Sequence, residues 1–215
     1  MPWHIATLIA CWFARHGRAH YGIGTLLAFD GYLRVNELVN LQLNDFAFGT
    51  DRRFGNLKDR LFINIRKAKT GVWQGVEIMD HHVRHLVKCL LESVRRTNDN
   101  RLFPFSSDQY RRALNTACRS LELPHYVPHS LRHGGATRDY IDGISVEDIM
   151  ARGRWAVTKT ARRYIQQSRQ LLMMANIPQS CADAGETLRK DVCGWFLHYL
   201  EKGVNQQSLQ TRRHS

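Results

Sequence analysis

Leu61-Phe62-Ile63-Asn64-Ile65-Arg66, then Lys67-Ala68-Lys69-Thr70-Gly71, then Gln74-Gly75-Val76-Glu77-Ile78, is the stretch on which the fold turns. Leu61, Ile63 and Ile65 alternate with Phe62, Asn64 and Arg66, and Val76 and Ile78 resume the alternation beyond a Lys-Thr-Gly turn. A period of two sends successive side chains to opposite faces of a strand. The stretch is therefore expected to form an antiparallel hairpin with its tip near Lys69 to Gly71. Asn44 to Phe48 is a candidate third strand.

On both sides of the hairpin the apolar period is helical. Ile5, Leu8, Ile9, Trp12 and Phe13 form one apolar stripe, and Ile23 to Phe29 form a second stretch that Asp30-Gly31 breaks. A short helix follows from about Val35, with Leu38 and Leu41 inward. Beyond the hairpin, Val83, Leu86, Val87, Leu90, Leu91 and Val94 mark one helix, and Tyr110, Leu114, Ala117, Cys118 and Leu121 the next. A helix is expected to start just after Pro128 and to stop at Gly143, a natural C-terminal cap. Ser145 with Asp148 three residues on is a capping box for a short helix ending at Gly153, and Thr158 can cap another running to about Met174. Pro178 to Gly185 reads as a linker, and Leu188, Val192, Trp195, Phe196 and Tyr199 as one face of a last helix that reaches Leu200. The expected fold is mainly α with a small antiparallel β-sheet (α+β). It comprises one domain over residues 1–175, then the linker, C-terminal helix and basic tail over 176–215.

Composition narrows the classes. The chain has 215 residues, 43% of them hydrophobic and 10% aromatic, enough to bury a core and too many for a disordered tail. Its longest apolar run, Ile5 to Phe13, is far short of the roughly 20 residues that a membrane span requires. Met1-Pro2-Trp3 is not the charged start of a secretory signal. The five cysteines are spread out and never paired as CxxC, which reads as reduced thiols in an intracellular protein. Lys and Arg number 31 against 19 Asp and Glu, a formal +12, which points to a polyanionic partner, most often nucleic acid. The charge has a location. Arg152, Arg154, Lys159, Arg162, Arg163 and Arg169 fall in one segment with no acidic residue, and Arg66, Lys67 and Lys69 lie on the hairpin. These are expected to form a phosphate-tracking surface, giving affinity with little sequence choice.

Three segments carry the chemistry: Gly31-Tyr32-Leu33-Arg34-Val35-Asn36-Glu37-Leu38, His129-Ser130-Leu131-Arg132-His133-Gly134-Gly135-Ala136-Thr137, and Gly153-Arg154-Trp155 followed by Tyr164. Their order, Arg…Lys…His-x-x-Arg…His/Trp…Tyr, resembles the catalytic domain of the tyrosine recombinases, the phage integrase family. Arg132 and Trp155 are 23 positions apart and Trp155 and Tyr164 are 9 apart, both of which suit that family, with Trp in place of the commoner His. The resemblance runs from about Trp3 to Leu172.

What it implies is metal-free DNA strand cleavage. Tyr164 would be the nucleophile and would retain the bond energy in a 3′-phosphotyrosyl link. Arg34 and Arg132 would grip the non-bridging phosphate oxygens in planar forks, and His129 and the Trp155 indole would add donors. Lys69 at the hairpin tip would protonate the departing 5′ oxygen, with Lys67 as the alternative acid. Glu37 and His133 would support the site, Glu37 by orienting an active-site base or arginine. No cofactor is implied. His81, His82 and His85 lack a third ligand type and His129 and His133 lack an intervening glutamate, so no metal is expected either.

The implied partner is double-stranded DNA, engaged as a homo-tetramer on two sites. The last apolar helix would dock either on a neighbouring subunit or on its own domain. Members of the family usually carry a helical core-binding domain first, which is expected to be absent here. Two alternatives stay open: a topoisomerase-like or telomere-resolving relative, and a DNA-binding remnant that no longer cuts.

Overall fold

The structure is a computed structural model that describes residues 1–49, 60–66, 74–96, 100–159, 161, 165, 171–172 and 174–199. Helix α1 (Trp3–Arg15) buries Ile5, Ile9 and Phe13 against Ile23, Leu26 and Leu27 of helix α2 (Ala19–Asp30). The i, i+4, i+8 spacing on α1 is the amphipathic pattern that a core-facing helix needs. Gly31 follows α2 with an ordinary φ of −84°, and the left-handed residue at this break is its neighbour Tyr32, φ +49°.

Helix α3 (Val35–Val39) and a 3₁₀ turn (Leu43–Asp45) lead into the sheet. Strands β1 (Phe46–Phe48), β2 (Leu61–Ile65) and β3 (Gln74–Ile78) pair antiparallel in the order β1-β2-β3. Register partners Leu61↔Ile78 and Ile63↔Val76 put the alternating apolar residues on one buried face, as their period of two requires. The third strand is present, although its first residues form the 3₁₀ turn. The hairpin tip lies outside the described residues.

Helix α4 (His81–Arg95) starts where the Asp80 carboxylate accepts from Val83 N (3.0 Å). Helix α5 (Ser107–Ser120) starts at a reciprocal box, with Gln109 N donating to Ser106 Oγ (3.2 Å) and Ser106 N to Gln109 Oε1 (2.7 Å). Both helices turn their apolar stripes into the core shared with α1, α2 and the sheet. Helix α6 (Pro128–Ile141) has proline in its first turn and ends before Gly143, φ +85°. Helix α7 (Val146–Gly153) is capped by Ser145 Oγ, which accepts from Asp148 N (3.0 Å).

Gly134 and Gly135 seat α6 against the core. A Cβ at Gly134 would overlap the Met1 carbonyl and the Phe29 ring. One at Gly135 would overlap the Phe29 carbonyl and come within 2.7 Å of the Tyr32 ring. A second small cluster of Tyr32, Ala136, Ile149, Trp155 and Ala161 lies beneath the site described below.

Two expectations about the C-terminal region are corrected. Pro178 to Gly185 is not a linker. Pro178 opens helix α8 (Gln179–Lys190), and its carbonyl accepts from Ala182 N (3.1 Å). Gly185 serves close approach rather than flexibility, since a Cβ there would come within 2.5 Å of the His4 carbonyl oxygen on α1. The last apolar helix is also not continuous. It breaks at Asp191, whose carboxylate accepts from Gly194 N (3.0 Å), and resumes over 192–199. Val192 and Phe196 are buried in the chain's own core, with the Phe196 ring against Gly22. Among the described residues, no helix is long and apolar enough to cross a membrane.

Candidate active site

Arg34 caps α3. Its backbone N–H donates to Glu37 Oε2 (2.8 Å) and its Nη1 to Glu37 Oε1 (2.6 Å), while the guanidinium stays 42% exposed. Glu37 also accepts from Arg154 Nη2 through Oε2 (2.9 Å), so one carboxylate bridges two guanidiniums. Burial pushes Glu37 up, but Arg154 and the two bonds from Arg34 together hold it below its ordinary value and keep it ionised.

Arg132 rises from the first turns of α6 and is fully buried. Its Nη1 donates to the Tyr32 carbonyl and its Nη2 to the Gly153 carbonyl. These contacts orient the guanidinium without neutralising it, because carbonyls carry no net charge. The Trp155 ring lies 4.6 Å from its Cζ and stacks on Tyr32 at 6.0 Å. His129 stands one helical turn before His133, their rings edge to face at 4.9 Å. Burial, then the positive charges of Arg132 and Arg34, push the His129 pKa down, so its imidazole is neutral near pH 7. Among the described residues, the guanidiniums of Arg34, Arg132 and Arg154 thus converge near the Glu37 carboxylate. An arrangement with that excess of positive charge favours an anion.

Behind this layer is a buried ion network. Asp30 accepts from Arg138 Nη2 (2.7 Å) and also holds Met79 N (2.8 Å) at the end of β3. Asp139 accepts from Arg138 (3.0 Å), from Arg152 Nη1 and from the Tyr32 hydroxyl. The Arg152 guanidinium lies 4.8 Å from the centre of the Tyr32 ring. Burial pushes the Tyr32 phenol up to about 12, so it donates rather than ionises.

Arg34, Glu37, His129, Arg132, His133 and Trp155 are therefore brought to one place, from α3, α6 and the turn after α7. Arg152 and Arg154 do not lie on an outward phosphate-tracking surface. Their side chains are 16% and 3% exposed and are spent on Asp139 and Glu37. The guanidinium of Arg66 is partly exposed and pairs with Asp45 and with Gln42 Oε1 (2.6 Å). Lys159 is exposed. Lys67, Lys69, Arg162, Arg163 and Tyr164 lie outside the described residues.

Tyr32 and Asp139 were not singled out by sequence. Tyr32 sits beside Gly31, the natural place to expect a helix break, and Asp139 carries no motif.

Residues 13–170 match the model of the Phage integrase family. This chain belongs to the phage integrase family. The fold of this integrase-family domain is that of tyrosine recombinase catalytic domains. It is similar to a XerA recombinase (21% identity, TM-score 0.60), covering 80% of this chain and 62% of that one. It is also similar to a XerH site-specific recombinase bound to difH substrate in a pre-cleavage complex (18% identity, TM-score 0.58), covering 79% of this chain and 50% of that one. A post-cleavage XerH complex on palindromic difH gives 19% identity and a TM-score of 0.58 over 80% of this chain. The integrase-family domain spans half to three-fifths of the length of these recombinases. Among curated proteins none matches it.

Proposed function

We propose that this domain cuts and rejoins double-stranded DNA in site-specific recombination or integration of a mobile element, through a covalent 3′-phosphotyrosyl intermediate. The observation that carries the reading is the convergence of Arg34, Arg132, His129 and Trp155 around one site with a surplus of positive charge. A phosphodiester carries one negative charge and gains a second as the nucleophile adds, so fixed guanidiniums there bind the transition state better than the ground state.

In the reaction, the Tyr164 hydroxyl oxygen attacks phosphorus and its proton leaves with a base, for which neutral His129 is suited. The phosphorus–oxygen bond to the 5′ side breaks, and Lys69 gives the departing oxygen its proton. Arg34 and Arg132 hold the two non-bridging oxygens, and Trp155 donates its indole N–H to one of them. Attack by a 5′-hydroxyl from a partner duplex reverses the step and joins the strands without ATP. Glu37 and His133 support the site, Glu37 by holding Arg34 and Arg154 in place. The working unit is a homo-tetramer on two DNA sites, and Arg66, Lys67, Lys159, Arg162 and Arg163 contact the backbone around the cut. Neither a metal nor another cofactor takes part.

The test needs no known target. Purified chain is mixed with supercoiled plasmid, quenched with detergent and examined for protein covalently attached to DNA. An adduct is expected with the wild type and none with Tyr164→Phe; an adduct that survives Tyr164→Phe overturns the nucleophile. Lys69→Ala should slow cleavage of ordinary DNA, and a 5′-bridging sulfur leaving group, which needs no acid, should restore it. Without that rescue the acid is Lys67 or another group.

A further inference from the structure

We infer that Tyr32 is a positioning residue that aims Arg132 and Trp155 at the phosphate, a role that rests on the strand-cleavage reading above. Three parts of this one residue act on the site. Its carbonyl oxygen accepts from Arg132 Nη1 and from Arg154 Nη2 (3.2 Å), residues 100 and 122 positions away in the chain. Both lone pairs of that oxygen are thereby used, so its direction fixes two guanidiniums at once. Its ring stacks on Trp155 at 6.0 Å. Its hydroxyl donates to Asp139, a carboxylate already anchored by Arg138 and Arg152.

The direction of the carbonyl depends on the backbone of Tyr32, which is left-handed at φ +49°. A tyrosine does not settle there unaided, because its Cβ crowds the following carbonyl. The tether to Asp139 and the packing of the ring hold it in place, since Tyr32 is fully buried. Aim therefore passes from Asp139 through the phenol to the main chain of Tyr32, and from its carbonyl to Arg132. In this path only Arg132 would touch the substrate, which makes Tyr32 a positioning rather than a catalytic residue.

The test uses Tyr32→Phe, which keeps the ring and loses only the tether. The first readout is the rise in melting temperature with added orthovanadate, a phosphoryl mimic that needs no DNA target. The wild type should be stabilised saturably. Tyr32→Phe should melt cooperatively and bind vanadate about tenfold more weakly, as expected when a gripping group is misplaced by a fraction of an ångström. A residue that only filled the core would lower the melting temperature and leave vanadate affinity unchanged.

The second readout is the rate of covalent adduct formation on plasmid, which should fall by a similar factor while DNA affinity holds. Equal vanadate affinity in the two proteins, or no vanadate effect on the wild type, overturns the inference. Absence of an adduct from the wild type counts against strand cleavage, and the vanadate comparison still decides on Tyr32. If Tyr32→Phe does not fold, Arg152→Lys takes its place. It keeps a charge beside Asp139 and the Tyr32 ring intact but loosens the anchor of the tether, so vanadate affinity should again fall, and an unchanged affinity overturns the inference.

Discussion

Asp139→Asn probes the ion network behind the site. The carboxylate is 6% exposed and accepts from Tyr32, from Arg138 (3.1 and 3.0 Å) and from Arg152. Asparagine fills the same space but removes the charge and one acceptor. Arg138 keeps Asp30 at 2.7 Å, whereas Arg152 is left with the Asp30 carbonyl (2.9 Å), which carries no net charge. One largely buried guanidinium thus loses its only ionic partner among the described residues. Breaking a buried pair from one side costs about 3–5 kcal/mol, and because Arg138 stays paired the lower end, about 3 kcal/mol, is expected. Asp108→Asn is the matched control, since its pair with Arg111 is 75% and 51% exposed. Its loss should be about 0.5 kcal/mol or less. With a urea slope of about 2.5 kcal/mol per molar, Asp139→Asn should lower the unfolding midpoint by roughly 1 M. The assay is urea unfolding followed by tryptophan fluorescence. A loss below about 1 kcal/mol, or one equal to that of Asp108→Asn, refutes the claim that Asp139 holds a buried network together.

Three further outcomes are expected. Gly135→Ala would drive a methyl to within 2.7 Å of the Tyr32 ring, so α6 must lift. Thermal melting should register a loss of about 1–3 kcal/mol, and adduct formation should slow because Arg132 moves with the helix. Phe196→Ala removes a fully buried ring beside Gly22 and should cost about 3–5 kcal/mol in urea; an unchanged midpoint would mean that the C-terminal segment packs elsewhere in solution. His4, His20 and His129 all have pKa values lowered from 6.5, chiefly by burial. The unfolded chain therefore binds more protons than the folded one below about pH 6.5. Stability should rise with pH up to that point and gain nothing further from these groups above it. Urea midpoints between about pH 5 and 7.5 would check the slope, which His20→Gln should flatten.

Local rules carried the sequence reading where structure is set locally. The alternation from Leu61 to Ile78 names the buried face of the sheet, and Ser145 with Asp148 marks the start of α7. The gathering of Arg34, His129, Arg132 and Trp155 was legible only because their order matches a family pattern, since nothing local draws α3 and α6 together. What escaped the reading was tertiary. Pro178 and Gly185 are loop residues by composition, yet here one opens a helix and the other lets α8 close on His4. Arg152 and Arg154 sit in a stretch without acids, so local charge made them surface residues. Their actual partners come from 13 and 117 positions away.

The glycine-seated helix α6 has a kinetic consequence. It carries His129 and Arg132 near its start and Arg138 and Asp139 near its end, and its middle, at Gly134 and Gly135, touches Met1, Phe29 and Tyr32 without a spacer. A helix so placed cannot open without opening α2 as well. In hydrogen exchange the amides around Arg132 should fall in the slowest class, exchanging only when the whole domain unfolds. On the strand-cleavage reading proposed above, the groups that would hold the phosphate form a fixed template that lasts as long as the fold does, rather than a mobile feature that tightens around DNA.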